Sequence, residues 1–260
     1  MKIATWNVNS IRTRLDHVIE WLTDNPVDVL CLQETKVIEE WFPRLPFTKL
    51  GYYLYVSGQK SYNGVAIASL QPLTDSIIGF NSILPDLDSK WDEQKRVITG
   101  MLADICIVNL YVPNGSSVGS NKYEYKLKWL HLLGSYLQKL MQTHSHICMC
   151  GDFNIALEDR DIHEKVNNKN HIMSSSAERQ ALKSILSLGF ADAFRKFNQE
   201  SGQYSWWDYR AASFQHNFGW RIDHHYLTPE LYNRAKGCIT DTIPRNKQKP
   251  SDHAPVILEI

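Results

Sequence analysis

The chain has 260 residues, 43% of them hydrophobic, and its 28 Lys and Arg residues balance its 28 Asp and Glu residues. This length and hydrophobic content allow a large buried core, and no shift in composition divides the chain, so we expect one domain spanning residues 1–260. The balanced charge excludes a global field that would draw the protein onto nucleic acid. Any attraction to phosphate must therefore come from a local patch.

The cysteines and the lack of long apolar segments bear on the cellular compartment. The five cysteines lie in apolar, strand-like runs and include no Cys-x-x-Cys pair, which favours reduced, buried thiols over a disulfide framework. The residues after Met1 soon become polar, and no stretch reaches the roughly 20 apolar residues that a membrane span requires. We expect a soluble, cytoplasmic monomer without membrane contact.

Short apolar runs bounded by turn residues predict strands, and longer stretches with helical spacing predict helices. In chain order these are strand 2–8, helix 12–24, strands 27–33, 52–57, 64–69, 97–102 and 105–112, helix 122–143, strand 146–150, helix 176–188, and strands 222–228 and 254–259. Strands outnumber helices and their short separations permit hairpins, so we expect mixed sheets. The polar stretch 165–171 predicts a loop at a functional rim or a mobile loop.

Several predicted strands end in polar side chains. Taken alone, each of these side chains also fits a solvated acid, a half-buried aromatic or a turn. The two-residue period of a strand places Asp152 and Asn154 on one side and Phe153 on the other, and Gly151 permits a close approach of backbone or substrate. The polar groups at or just after the strand ends are Asn7, Glu34, Tyr111, Asn114, Asp152 and Asn154.

An acid and a histidine stand side by side near the C-terminus. Asp252 and His253 follow Pro250-Ser251 and precede a short apolar strand. Such a pair at the start of a strand can orient an imidazole against a phosphate, although Pro, Ser and Asp are also ordinary turn residues.

The joint occurrence of carboxylates, carboxamides, a phenol and an imidazole at successive strand ends indicates a hard-cation phosphodiester site. Mg²⁺ prefers oxygen ligands and is commonly held by one or two carboxylates together with substrate phosphate. No histidine cluster or thiolate set offers a zinc site. We therefore expect Mg²⁺, with Mn²⁺ as a substitute.

These segments together resemble the exonuclease III-type apurinic/apyrimidinic endonucleases of the endonuclease/exonuclease/phosphatase superfamily. The resemblance extends over essentially the whole chain. Its motifs are residues 5–12, 32–36, 62–67, 111–115, 151–156, 205–210, 219–223 and 251–255. It implies an α/β fold, a four-layer sandwich in which two mixed β-sheets pack face to face and are flanked by helices, with the site at one edge of the sheets.

The resemblance also implies a set of metal ligands. Glu34 is the main carboxylate, Asn7 lies beside it, and Asp252 lies near the metal, directly or through water. Some members of the family carry an acid where this chain has Asn9, which puts a second metal ligand at that position in doubt.

Catalytic roles are carried over from the same motifs. Asp152 is implied to orient or deprotonate the attacking water, with Asn154 as its hydrogen-bonding neighbour. Asp223 is implied to hold His253 against the scissile phosphate in the right tautomer. The residues implied to contact phosphate oxygens are Tyr111 and Asn114.

Aromatic residues crowd the stretch 204–226, where each also fits core packing. Trp206, Trp220 and Ile222 match the family positions that line a pocket for an extrahelical, base-free sugar, a pocket that rejects normal nucleotides by size. Arg210 is one of several basic residues that can contact phosphates without reading sequence.

Met173 is a candidate for gating this pocket. The segment 167–176 borders the sugar pocket in the family, and here it carries Met173, which is bulkier than the small residue of several relatives. If Met173 occupies the space of an abasic sugar, cleavage at internal abasic sites is weak relative to 3′-end processing; the alternative is that the segment only packs on the following helix.

The sequence is therefore interpreted as a divalent-metal-dependent DNA-repair phosphodiesterase. Its expected substrate is double-stranded DNA, which it would cut 5′ to an abasic site and trim or clean at 3′ ends. One alternative is a lipid or inositol phosphodiesterase of the same fold, since fold does not fix function. Another is a non-catalytic DNA-binding relative, which would be expected to have lost some of the catalytic residues.

Overall fold

The computed structural model describes residues 1–166 and 171–260. Residues 167–170 of the predicted polar loop 165–171 lie outside the described residues. The strands are β1 (Lys2–Asn7), β2 (Val29–Gln33), β3 (Tyr53–Ser57), β4 (Val65–Ser69), β5 (Thr74–Ile78), β6 (Val97–Leu102), β7 (Ile105–Tyr111), β8 (Ile147–Asp152), β9 (Ala191–Asp192), β10 (Trp206–Trp207), β11 (Gly219–Trp220), β12 (Asp223–Leu227), β13 (Gly237–Thr240) and β14 (Val256–Glu259). The α-helices are α1 (Ile11–Asp24), α2 (Arg44–Lys49), α3 (Asn121–Leu140), α4 (Ser176–Leu186), α5 (Ala193–Phe197) and α6 (Pro229–Arg234).

The strands form two large mixed sheets. The order in the first is β13-β14-β1-β2-β4-β3, and in the second it is β5-β6-β7-β8-β12-β9. The pair β1 and β2 and the pair β7 and β8 are parallel, and the other pairs of the two sheets are antiparallel. Strands β10 and β11 form a separate small ribbon beside them.

The alternation of side chains along the strands builds the layers. Ile3 and Cys31 of the first sheet and Ile107 and Cys150 of the second belong to one buried cluster between the sheets. The alternate residues of the first sheet, such as Leu30, pack with α1 and α2. Those of the second sheet pack with α3 and α4. The predicted four-layer α/β sandwich is confirmed.

The elements that the sequence did not predict are short or lie at edges. Strand β5 is mostly exposed, and β13 has one fully buried residue, Cys238, so neither produces a clear apolar alternation. Helices α2, α5 and α6 have five or six residues, less than two turns.

The structure bears on the sequence predictions about the cysteines and about membrane-spanning segments. All five cysteines are buried and free. The Cys148 Sγ atom lies 3.7 Å from His225 Nδ1, so this pair forms a thiol–imidazole hydrogen bond inside the core. No helix in the described ranges combines the length and the apolar character needed to cross a bilayer.

One edge of the two sheets collects chain segments that are far apart in sequence. The carboxyl ends of β1 and β2 lie together because these strands are parallel, and the same holds for β7 and β8. Strand β12 runs antiparallel to β8, so its first residue, Asp223, pairs with the last residue of β8, Asp152. The segment before β14 reaches the same edge, because β14 is antiparallel to β1.

Candidate active site

Glu34 follows β2 and has a left-handed backbone conformation with φ of 51°. Its Oε1 atom accepts hydrogen bonds from Asn7 Nδ2 and from the Tyr111 hydroxyl, both at 2.9 Å, and its Oε2 atom lies 2.7 Å from Lys36 Nζ. Burial acts to raise the pKa of Glu34, but the charge of Lys36 and the hydrogen bonds from Asn7 and Lys36 outweigh burial and lower it. Glu34 is therefore an ionised carboxylate at neutral pH.

Asp152 ends β8 and is 1% exposed. Its Oδ2 atom accepts from Asn7 Nδ2 at 2.9 Å and from Asn154 Nδ2 at 3.2 Å, and its Oδ1 atom accepts from the Asn154 backbone N–H at 2.8 Å. Burial raises the pKa of Asp152 to about 7, against the opposing charge of His253. A carboxyl group with this pKa is suited to exchange a proton near neutral pH.

Gly151 precedes Asp152 and allows β8 to lie close to β7. Its φ is 143°, and a Cβ atom at this position would lie 2.0 Å from the Leu110 carbonyl oxygen. The close approach predicted from this glycine is therefore an approach of backbone to backbone.

His253 is held by Asp223 of β12, which is itself oriented by Ser205. Its Nδ1–H donates to Asp223 Oδ2 at 2.9 Å, and the same oxygen accepts from Ser205 Oγ at 2.6 Å. Burial acts to lower the pKa of His253, but the carboxylates of Asp223 and Asp152 outweigh burial and raise it, which favours an imidazolium. The Nε2 atom lies 3.8 Å from Asp152 Oδ2, so the two groups face a common space without a direct hydrogen bond.

Asn154 connects Asp152 to the segment after β7. It has a φ of 49°, and its Nδ2 also donates to the Val112 carbonyl at 3.0 Å. Its Oδ1 accepts from Asn114 Nδ2 at 2.9 Å. Asn114 is exposed, so this chain of hydrogen bonds leads from the buried carboxylate to the surface.

Tyr111 ends β7 beneath a guanidinium group. Arg96 lies 4.6 Å from the centre of the Tyr111 ring and donates to the Tyr111 carbonyl at 3.2 Å. Burial raises the pKa of Tyr111 well above its ordinary value, so the hydroxyl remains a proton donor. An open groove of about 600 Å³ lies beside Tyr111 and is lined by Arg96, Asn114 and Lys122, among others.

Asp252 has partners distinct from those of Glu34. Its Oδ1 accepts from Asn9 Nδ2 at 3.0 Å and its Oδ2 accepts from Trp206 Nε1 at 2.9 Å. Asn9 Oδ1 in turn accepts from Lys36 Nζ at 2.5 Å. Asp252 is thus connected to Glu34 through Asn9 and Lys36.

The donor set fits a hard divalent cation. The groups at this edge offer carboxylate and carboxamide oxygens from Asn7, Glu34 and Asp152, with no thiolate among their described neighbours. The Lys36 ammonium already bridges Glu34 Oε2 and Asn9 Oδ1, which shows that these oxygens attract a cation. Asp152, Asp223 and His253 also form a compact group with ligand atoms within 4.8 Å of one another.

An apolar cluster adjoins the polar residues. Trp220, Ile222 and Met173 pack with Ala156 and Ile162. Met173 is 5% exposed, and the ring of His171 lies 5.3 Å from that of Trp220. Met173 thus contacts the same cluster as the predicted pocket residues. Trp206 packs against the edge of this cluster and is partly buried.

Arg210 is the predicted site residue that the structure leaves apart. Its side chain is 89% exposed, and it forms hydrogen bonds and an ion pair with Asp208, two residues earlier. Its contact with a DNA phosphate stays a prediction. The other predicted residues lie in one of two places. The first, called the polar edge below, contains Asn7, Glu34, Tyr111, Asn114, Asp152, Asn154, Asp223, Asp252 and His253. The second is the apolar cluster with Met173, Trp206, Trp220 and Ile222.

Several supporting residues were missed from the sequence. Ser205 orients Asp223, and Arg96 covers Tyr111. Arg221, between two pocket residues, is 1% exposed, with its Nε 2.7 Å from Asp161 Oδ1 and its Nη2 2.8 Å from Asp192 Oδ2. Arg221 was one of the several basic residues expected to contact phosphates, and this expectation is wrong, because the side chain is buried and paired with two carboxylates, as buried arginines almost always are.

Comparisons with known proteins agree with this geometry. The sequence model of the Endonuclease/Exonuclease/phosphatase family matches residues 4–253. The chain is 33% identical over 263 residues to an exodeoxyribonuclease of Bacillus subtilis, covering 100% of this chain and 99% of that protein. Two solved structures cover 100% of this chain and 99% of their own: the 3′ phosphatase NExo from Neisseria bound to a product DNA hairpin, with TM-score 0.94 and 39% identity, and an AP endonuclease from Archaeoglobus fulgidus, with TM-score 0.93 and 43% identity.

Proposed function

The chain belongs to the endonuclease/exonuclease/phosphatase family and to its exodeoxyribonuclease III type, and we propose that it is a divalent-metal-dependent DNA-repair phosphodiesterase. One observation carries the proposal: His253, held by Asp223, faces the same space as Asp152, beside the ionised Glu34. A phosphodiester hydrolase needs a proton acceptor for water, a positive donor for the phosphate oxygens and a cation site.

The residues have distinct roles in the proposed reaction. Asp152 Oδ2 accepts the proton of the attacking water, while Asn7 and Asn154 fix the orientation of that carboxylate. His253 donates through Nε2 to a phosphate oxygen, because its Nδ1–H is directed at Asp223. Asn114 Nδ2 has a second hydrogen for a phosphate oxygen besides the one donated to Asn154, and the Tyr111 hydroxyl, which donates to Glu34 Oε1 in this structure, would turn from Glu34 to contact the phosphate when substrate binds.

Glu34 and Asn7 would hold the divalent cation, which we propose to be Mg²⁺ with Mn²⁺ as a substitute, and Asp252 would lie outside this pair. Once bound, the cation would offset negative charge on the phosphate and on the departing oxygen. Lys36 must then share Glu34 with the cation, since it lies 2.7 Å from Glu34 Oε2. Glu34 carries the assignment because its other oxygen is already fixed by Asn7 and Tyr111.

The substrate that we propose is double-stranded DNA with abasic sites or 3′ ends. The groove beside Tyr111 contains Arg96 and Lys122, which can contact phosphates without reading bases. The relatives described above favour DNA over a lipid or inositol phosphate, since they are an exodeoxyribonuclease, a 3′ phosphatase bound to a DNA hairpin and an AP endonuclease. A non-catalytic relative would not need the complete set formed by Glu34, Asp152 and His253.

We further propose that 3′-end processing exceeds cleavage at internal abasic sites. The relatives include both a 3′ phosphatase and an AP endonuclease, so the choice depends on the pocket. Met173 packs against Trp220 and Ile222, in the space proposed for a flipped sugar. Cleavage at an abasic site inside a duplex requires that the sugar rotates out of the helix into this space, whereas the nucleotide at a 3′ end has more freedom to enter the site.

The experiment that tests the function compares three duplexes side by side. One contains an internal abasic analogue, one a recessed 3′ end and one a 3′-phosphate, each with Mg²⁺ or with EDTA. We expect Mg²⁺-dependent cleavage or dephosphorylation, fastest at the 3′ ends. Absence of turnover on all three with Mg²⁺ and with Mn²⁺ would contradict the function, and fastest cleavage at the abasic analogue would contradict the proposed preference.

Two earlier expectations stay predictions: one domain spanning residues 1–260 and a monomeric state. Gel filtration with light scattering, together with a single cooperative unfolding transition, would test both.

A further inference from the structure

A fully buried lysine lies behind the polar edge. Lys126 is on α3 and is 0% exposed. Its Nζ donates to the Asn154 carbonyl at 2.8 Å and to the Asn114 carbonyl at 3.2 Å, and it forms an ion pair with Glu178 of α4. One ammonium group therefore contacts the backbone of both asparagines that extend from Asp152 to the surface.

Glu178, the partner of Lys126, is also 0% exposed and has other donors. Its Oε1 accepts from the Met173 backbone N–H at 3.0 Å, and its Oε2 accepts from the Ser175 N–H at 3.0 Å and from Ser175 Oγ at 2.7 Å. The Met173 carbonyl accepts in turn from the Ala156 N–H at 2.7 Å. The ion pair thus connects the segment of Met173 with the segments of Asn114 and Asn154.

Stability alone is a weak reason for this arrangement. Taking both charges out of water is costly, and apolar residues of similar volume are often as stable in place of a buried ion pair. The ammonium has a property that an apolar side chain lacks, because its three donors can hold two carbonyls and a carboxylate at fixed distances. The structure uses all three.

We propose that Lys126 and Glu178 are positioning residues that set the two asparagines for catalysis and at the same time hold Met173 in the sugar pocket. Neither side chain contacts the groups assigned to the chemistry, so each acts through the backbone segments that it holds. This inference rests on the proposed function, because positioning is defined relative to that reaction. A displacement of about 1 Å at such groups costs up to about 10²-fold in rate.

The test uses the full chain with Lys126→Met and Glu178→Leu combined, which removes both charges and keeps the volume similar. Leu140→Ala is the matched control, because it opens a cavity at the far end of the same helix α3, about 21 Å along the helix from Lys126, and lowers the melting temperature. For each variant, kcat and KM on the recessed 3′ duplex and on the abasic duplex are measured well below its melting temperature. Amide hydrogen exchange is followed over residues 112–116, 153–156 and 171–175.

We expect the double variant to fold, with kcat on the recessed 3′ end at least about tenfold lower and KM changed by less than about threefold. Amide exchange should accelerate in all three segments, and the ratio of abasic to 3′-end cleavage should rise because Met173 is released. Leu140→Ala should keep kcat, the ratio and the exchange of these segments. Wild-type kcat in the double variant, or an equal loss in Leu140→Ala, would overturn the proposal.

A second variant serves if the double variant does not fold. Glu178→Gln keeps the shape and an acceptor, and we expect faster exchange in the same three segments with a lower kcat; unchanged exchange and kcat would overturn the proposal. Failure of the proposed function is separate, because it would appear as a wild-type protein that cuts none of the duplexes. The exchange measurement still reports on the three segments in that case.

Discussion

The polar edge and the apolar pocket adjoin each other, but different forces hold them. At the polar edge, Asp152 and Asp223 lie at strand ends and receive directional hydrogen bonds from several neighbours. In the pocket, the side chains of Met173, Trp220 and Ile222 are held by packing, and Met173 lies in an irregular segment with a φ of 72°. On the proposed function, the two sheets would determine the type of reaction, while Met173, outside the sheets, would determine which phosphodiester reaches it.

The comparison predicts the largest effect at the polar edge. Asp152→Asn and His253→Ala should each lower kcat by about 10²-fold or more on all three duplexes, because both groups act on the transition state. Steady-state kinetics and a binding assay check this, with a substitution of the exposed Asp86, Asp86→Asn, as a control. A loss confined to KM would show instead that these residues bind substrate.

The next effect concerns the cation. Glu34→Gln keeps the shape of the side chain but removes its charge, so we expect an apparent Mg²⁺ affinity lower by about 10–100-fold and slower turnover on every duplex. Titration of the rate with Mg²⁺ measures the change, and excess Mg²⁺ should recover part of the rate. If the wild type and the variant have the same Mg²⁺ dependence, Glu34 is not a ligand.

A change in the pocket should alter the choice of substrate with little effect on the chemistry. Met173→Gly removes the side chain and suits a positive φ, so abasic cleavage should rise by about tenfold relative to 3′-end trimming. Met173→Leu is the control that keeps most of the volume. An equal change in the rates on both substrates would show that Met173 does not control the choice of substrate.

The smallest expected effect concerns Asp161, which binds Arg221, the residue between the pocket residues Trp220 and Ile222. Burial acts to raise the pKa of Asp161, but Arg221 and Arg195 outweigh it and lower this pKa to about 2. The folded-state pKa is below the unfolded value of about 3.9. Asp161 therefore adds on the order of 2 kcal/mol to the free energy of unfolding above pH 4, and this contribution is lost as the pH falls towards 2. Urea unfolding at pH 5 and pH 3 should show that the free energy of unfolding falls more between these pH values for the wild type than for Asp161→Asn.

An equal loss of unfolding free energy in both proteins would exclude Asp161 as the source. The variant should also be less stable at every pH, because the buried Arg221 loses one of its two carboxylate partners.

The sequence predicted the polar edge well for a physical reason. Residues such as Glu34 and Asp152 directly follow or end apolar strands, and a parallel pair of strands places such residues at one edge. The motif order then identified the family. The supporting groups were less visible, because Ser205, Lys126 and Glu178 meet their partners only through tertiary packing between elements distant in sequence. Exposed β5 and short β13 were missed because few of their side chains are buried.

Trp206 belongs to both regions, and this limits how the enzyme can be altered. Its backbone pairs with Trp220 in the small ribbon and forms a bridge with His253, and its indole N–H donates to Asp252. A shift of the ribbon would therefore move the imidazole as well. Grafts from relatives that aim at a new substrate range should therefore change the side chain at Met173 and keep Trp206 and its ribbon partner, because these two tryptophans form a frame shared by both regions.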